Sequence, residues 1–188
     1  GVGASFGVLR GDKVQVVYSA GPNGSHRKIA WDRREFPATR TANGRVLLAA
    51  LSEAELSEAL GGEAFPPNTG EHSTTLERTR ELGYAISDGE YHPDQFGVAA
   101  LVWGEDGRIV GALALQGARA GGPLEERAQE LAHIATEVAR AADELSITLS
   151  KNASALATGR TMRVRLLVSG TLKAWFNASV VQGAYDVL

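Results

Sequence analysis

Apolar and polar positions along the chain change their period more than once. The first forty residues read as strands. Ser5–Leu9 is short and apolar, Arg10-Gly11-Asp12-Lys13 is a turn signal, and Val14–Tyr18 is rich in β-branched residues. Together they predict a hairpin. Gly21–Ser25 reads as a loop on composition and Lys28–Trp31 as a further short strand. The pattern then becomes helical. Gly44–Leu51 is apolar enough for a short buried helix. Ser52-Glu53-Ala54-Glu55 matches a capping box for a second one, closed by Gly61-Gly62. Thr74-Thr75-Leu76-Glu77 repeats that device for a third, with Leu76, Thr79 and Leu82 on one face and Gly83 as the stop.

Two apolar runs, Val98–Trp103 and Arg108–Gln116, flank Gly104-Glu105-Asp106-Gly107, which suits a hairpin connection. Alternation in the second run puts Ile109, Gly111, Leu113 and Leu115 on one face. Val110, Ala112, Ala114 and Gln116 fall on the other. The small residues of that second face leave space for a packed helix or for a ligand. After Pro123, placed as a first-turn proline, Leu124, Ala128, Leu131, Ala135, Val138, Ala142, Leu145 and Leu149 form one apolar stripe. It reads as the packing face of a helix about 40 Å long, and its regular spacing also suits a dimer contact. Residues 160–168 alternate as a strand, and Trp175-Phe176 with Val180-Val181 form another apolar region.

Charge divides the chain. Residues 1–150 carry 14 Lys and Arg against 21 Asp and Glu, a net of -7, and residues 151–188 carry 5 against 1, a net of +4. This predicts an acidic body, residues 1–150, and a basic, partly β extension, residues 151–188. The overall balance of -3 lacks the positive excess of a nucleic-acid domain. No cysteine is present, which excludes disulfides and thiolate chemistry. No apolar run approaches a membrane span and no signal segment opens the chain, so a cytoplasmic protein is expected.

Candidate chemistry is sparse. Ser169-Gly170 lacks the setting of a nucleophile elbow, and no dinucleotide or phosphate loop is present. Asp88 and Glu90 suit acid–base work, but a solvated loop accounts for them more simply. Glu90, His92 and Asp94 alternate, and three ligands within five residues would make an unusual metal cage. Neither a catalytic set, a metal site nor a cofactor is therefore expected. Arg160, Arg163, Arg165 and Lys173, followed by Trp175 and Phe176, read as a local partner surface rather than a nucleic-acid reading head.

Three stretches carry a resemblance: Phe36 to Leu51 (FPATRTANGRVLLAAL), Arg80 to Pro93 (RELGYAISDGEYHP) continuing to Gly97–Ala100, and Asp106 to Gly117 (DGRIVGALALQG) followed by the long helix. In order and spacing, over about residues 5–150, they resemble the effector-binding domain of IclR-family bacterial transcriptional regulators. The resemblance implies an α+β, GAF-like fold with a central antiparallel sheet flanked by helices. It implies a small organic effector, often a carboxylate, and a homodimer or tetramer. DNA contact would run through an N-terminal winged helix-turn-helix that this chain lacks.

By position it places Ala42, Asn43 and Gly44 in the ligand pocket, where backbone amides of the helix start can hold an anion. It adds Ser87 and Asp88, with Ser87 at the place of an acidic residue that contacts effector in some members. Gln95, Phe96 and Gly97 follow, with Gly97 in place of a common cysteine, and then Ala114 and Gln116. Arg40, in a Thr39-Arg40-Thr41 that departs from the family's His-Ala-Thr-like sequence, either meets an effector carboxylate or stands in solvent. These changes remove hydroxyls and add amides and an aromatic ring, which implies an effector larger than a two-carbon acid. The family usually ends near residue 150. The contrasting expectation is a stand-alone ligand-binding or assembly module without DNA control, which the extra residues favour.

Overall fold

The structure, a computed structural model, describes residues 2–21, 26–27, 34–66, 73–119, 121, 123–153, 156, 163–168 and 172–177. Its strands are β1 (Val2–Arg10), β2 (Lys13–Ala20), β3 (His26–Arg27), β4 (Glu35–Pro37), β5 (Tyr84–Asp88), β6 (Gln95–Trp103), β7 (Ile109–Ala118), β8 (Arg163–Val168) and β9 (Leu172–Asn177). Its helices are α1 (Ala42–Ala49), α2 (Glu53–Ala59), α3 (Leu76–Leu82) and α4 (Leu124–Lys151). The main sheet is antiparallel in the order β3-β2-β1-β7-β6-β5, with β4 also paired to β2; β8 and β9 pair separately. An α+β architecture with an antiparallel sheet between helices is thus realised.

Each face of the sheet has its own core. On one, Phe6, Val8, Val98, Val102, Leu113 and Leu115 pack with Leu131, Ala135, Val138, Ala142, Leu145 and Leu149 of α4. On the other, Val14, Val16, Ala85, Ala99, Ala112 and Ala114 pack with Val46, Leu47 and Leu48 of α1. The stripe on α4 is therefore a packing face, with a departure at Ala128. Ala128 is exposed, and Arg127 is buried in its stead.

Two bulges change which residues face which core. The β6–β7 register runs Val102↔Gly111 and then Trp103↔Ile109, which leaves Val110 as an extra residue. A bulge breaks strict alternation, so Val110 joins Leu113 and Leu115 under α4 while Ile109 packs on the α1 side with Ala112 and Ala114. The uninterrupted alternation expected from Ile109 to Gln116 fails at that point. The β1–β2 register likewise jumps between Phe6↔Tyr18 and Gly7↔Val16, so Val14 and Val16 serve one core and Tyr18 and Ala20 the other.

Helix ends follow local chemistry. Ser52 and Glu55 form both bonds of the capping box, and Gly83 closes α3 at φ 73°. The α3 cap is Thr75, whose hydroxyl accepts from the Arg78 amide. Thr74 is instead buried, accepting from the Ile86 amide at 3.0 Å, and so covers part of the sheet edge at β5. The helix expected from Gly44 starts two residues earlier because Thr41 caps it. The strand expected at Lys28–Trp31, most of the Gly21–Ser25 loop and Val180-Val181 lie outside the described residues. Among the described residues, no helix is long and apolar enough to cross a membrane.

Candidate functional site

A cavity of about 260 Å³ opens on the α1 side of the sheet, between the start of α1 and the ends of β5, β6 and β7. Its wall contains Ala42, Asn43, Ser87, Gln95, Phe96, Gly97, Ala114 and Gln116, eight of the residues implied by the resemblance. The pairing explains their convergence: Ser87 lies opposite Gly97, Gly97 opposite Gln116, and Ser5 opposite Ala114. Cross-strand partners share a face.

Ser5, Val14, Val16, Ser19, Arg34, Phe36, Thr41, Tyr91 and His92 complete the wall. Of these, Ser5 has a visible signal, a polar residue inside the apolar run Ala4–Val8. Asn43 Nδ2 donates to Ser5 Oγ at 3.3 Å, and the Ser5 hydroxyl donates to Gln116 Oε1 at 3.1 Å. Turning both amides reverses the row while keeping its two bonds. Polar groups at this wall are thus able to present either a donor or an acceptor. Phe36 and Tyr91 meet edge to face, with centroids 5.4 Å apart, beside the opening. Arg34 is exposed in the lining, and its side chain has no ion-pair partner among the described residues.

Gly44, Asp88 and Arg40 do not line the cavity. A Cβ on Gly44 would lie 2.2 Å from the Ala38 Cα and carbonyl oxygen, so glycine here lets α1 rest on the 3-10 turn Ala38–Arg40. The Gly44 amide is taken by Thr41 Oγ1, which removes it as an anion donor. Arg40 is exposed, and its guanidinium donates to the Glu90 carbonyl. Its own carbonyl accepts from the Ser87 hydroxyl at 2.9 Å. Phe96 borders the cavity, and its side chain also packs in the α4-side core beside Arg127.

Asp88 and Glu90 are not on a solvated loop: they are 1% and 4% exposed. Asp88 Oδ1 is 3.0 Å from Arg127 Nη2 and 3.2 Å from Arg119 Nε. Glu90 Oε2 is 2.7 Å from Arg45 Nη2. Arg45 also donates to the carbonyls of Ile86 and Thr39 and lies 5.9 Å over the Phe65 ring. Burial pushes the Arg45 guanidinium below its ordinary pKa, and the Glu90 carboxylate pulls it back up. These ion pairs hold the end of β5 to α4 and the segment after it to α1. Glu90 is turned inward while His92 and Asp94 are exposed, so the alternating trio does not converge. No metal-binding group of three occurs among the described residues.

Comparison with known proteins gives a consistent result. The family model for the C-terminal domain of bacterial transcriptional regulators of the IclR type matches residues 1–146. The HTH-type transcriptional regulator XynR of Escherichia coli strain K12 is 36% identical over 119 residues, 58% of this chain and 46% of that protein. The chain therefore spans under half the length of that relative. The Agobacterium tumefaciens repressor BlcR superposes with a TM-score of 0.63 at 22% identity, over 79% of this chain and 60% of that one. The C-terminal domain of the E. coli regulator KdgR gives 0.59 at 23%, over 79% and 88%. The PobR inducer-binding domain from Acinetobacter, solved as a double mutant with 3-hydroxybenzoic acid, gives 0.56 at 19%, over 77% and 87%. At these identities the structural likeness shows the fold.

Proposed function

The chain belongs to the IclR family of bacterial transcriptional regulators, whose C-terminal effector-binding domain it matches, and on that premise we propose that the cavity under α1 receives a small organic carboxylate. The observation that carries this reading is the convergence of eight wall residues, from α1, β5, β6 and β7, on one largely apolar cavity into which a few polar side chains reach. At about 260 Å³ it lies at the small end of ligand pockets. One ring or a short chain fits that volume; a dinucleotide does not. Arg34 at the lining meets the carboxylate, and the Ser5–Gln116 row meets a hydroxyl or carbonyl at the far end. The 3-hydroxybenzoic acid held by the PobR domain is a molecule of this chemistry.

Binding shifts an existing conformational or oligomeric equilibrium, which a DNA-binding domain outside this chain reads on its operator. The working assembly is a homodimer or tetramer. Residues 151–188, beyond the matched 1–146, form an extension to the sensor body.

A thermal-shift screen of aromatic and aliphatic carboxylates, 3-hydroxybenzoate among them, tests the reading. A ligand at 100 times its Kd adds about 2.7 kcal/mol of apparent stability. Asn43→Leu and Gln116→Leu should each reduce that gain. A stabilising carboxylate that both variants bind unchanged places its site elsewhere, and a screen with no stabilising carboxylate sinks the proposal.

A further inference from the structure

The pleat at the end of β5 and β6 puts adjacent residues to different uses. Ser87 pairs with Gly97, and Asp88 with Phe96. Successive residues of a strand point to opposite faces. Ser87 and Gly97 face the cavity, while Asp88 pairs with Arg127 of α4 and Phe96, which borders the cavity, also packs in the α4-side core. Arg127, in the first turn of α4, touches both. Its Nη2 is 3.0 Å from Asp88 Oδ1, and its guanidinium carbon lies 5.3 Å from the Phe96 ring centroid. The ring has little freedom below. A Cβ on Gly117 would come within 2.9 Å of Phe96 Cε1 and 2.7 Å of Val2 Cγ1, so ring and valine both rest on the β7 backbone.

The same cluster is incompletely satisfied. Asp88 Oδ2 and Arg127 Nε are buried without hydrogen-bond partners among the described residues. A buried polar network with missing partners is costly, and a small displacement that repairs one bond changes its balance. Arg127 is thus a long side chain held by an ion pair and a ring stack, both carried on the backbone that forms the cavity wall.

We propose that Arg127 is a positioning residue for the cavity, and that the first turn of α4 registers whether the cavity is filled. The inference rests on the reading of this cavity as the effector site. An occupant pressing on Ser87 and Gly97 moves the backbone that carries Asp88 and Phe96. Arg127 follows both, and α4 begins only three residues before it. Coupling of this kind is reciprocal, so a change at Arg127 also alters affinity in the cavity.

Filling the cavity without a ligand tests the relay. A Cβ at Gly97 meets only Ala42 Cβ, at 3.4 Å, so the remaining atoms of Gly97→Leu extend into the cavity. Amide hydrogen exchange is measured for residues 125–131 in the unchanged full chain, in G97L, in R127M and in the double variant. G97L should change protection there by about fivefold or more, and by about twofold or less in the R127M background, the size expected of a coupling between sites. Residues 142–149, packed on the α4-side core, should change little. No change at 125–131 in G97L, or the same change with Arg127 absent, overturns the proposal. If G97L does not fold, Ala114→Val loads the same cavity from β7 and is judged by the same criteria. Because no ligand is used, a failed carboxylate screen and a failed exchange result are separate outcomes.

Discussion

Arg127 and Asp88 form a buried ion pair at 3.0 Å that ties the start of α4 to the end of β5 across 39 residues of sequence. Removing one partner leaves a buried charge, which is worth more than the pair's own net contribution. Arg119, at 3.2 Å from the same carboxylate oxygen and one-third exposed, offsets part of that loss. Arg127→Met should therefore cost about 3 kcal/mol, the low end for breaking a buried pair. Asp88→Asn combined with Arg127→Met should cost less than the two single losses added together. Urea denaturation of the four proteins measures this, and strict additivity would contradict the pairing.

Gly44 and Ala38 set the seat of α1. A methyl group at 44 would overlap the Ala38 backbone at 2.2 Å, where no flexible side chain can yield. Gly44→Ala should cost about 3 kcal/mol or more through overpacking, although it raises helix propensity. Gly107 makes the comparison. It sits at φ 74° with open space around it, so Gly107→Ala meets only backbone strain, about 1 kcal/mol. Equal losses by chemical denaturation would show that the Ala38 contact does not matter.

What is legible in the sequence is local. The β1–β2 and β6–β7 hairpins, the Ser52 capping box and the Gly83 stop depend on residues a few positions apart, and the structure contains all of them. Details that depend on distant partners are not legible. Asp88 and Glu90 look like solvent-facing carboxylates in the sequence because their arginines lie in α4 and α1. Strict alternation puts Val110 on the wrong face because a bulge leaves no period-two signature. Thr74 reads as a helix cap because its true partner, the Ile86 amide, belongs to β5. The same limit applies to the cavity. Resemblance brings eight wall residues together, but Ser5 and Arg34 join them only through sheet pairing and the fold of the chain around it.

The Glu55 carboxyl is held below its ordinary value of 4.5, first by the Ser52 hydroxyl and then by the Ser52 amide. A pKa lowered on folding contributes stability above the unfolded value, and that contribution is lost as pH falls through the folded one. Stability should thus decline below about pH 4.5 in part through this box. Ser52→Ala removes the hydroxyl, so the Glu55 titration midpoint followed by carboxyl NMR should move upward. The acid-side decline in the exchange protection of α2 should flatten with it. An unchanged midpoint would mean that the backbone amide alone sets the titration.

Arg34 and Arg40 both stand near the cavity opening, and their surroundings assign them different work. Arg34 lines the cavity with no ion pair among the described residues, while Arg40 donates to the Glu90 carbonyl and holds the wall from outside. For a carboxylate found by the thermal screen, Arg34→Gln should weaken binding about tenfold, the size of one charge-assisted hydrogen bond at an exposed site. That loss should shrink as salt is raised, because an exposed charge is screened within about 8–10 Å at physiological ionic strength. Arg40→Gln acts through the Glu90 segment, so its effect on affinity should keep the same value across that salt range. Calorimetric titration of both variants at low and high salt separates the two roles. If the Arg40 effect is the salt-sensitive one, Arg40 is the carboxylate contact and Arg34 is not.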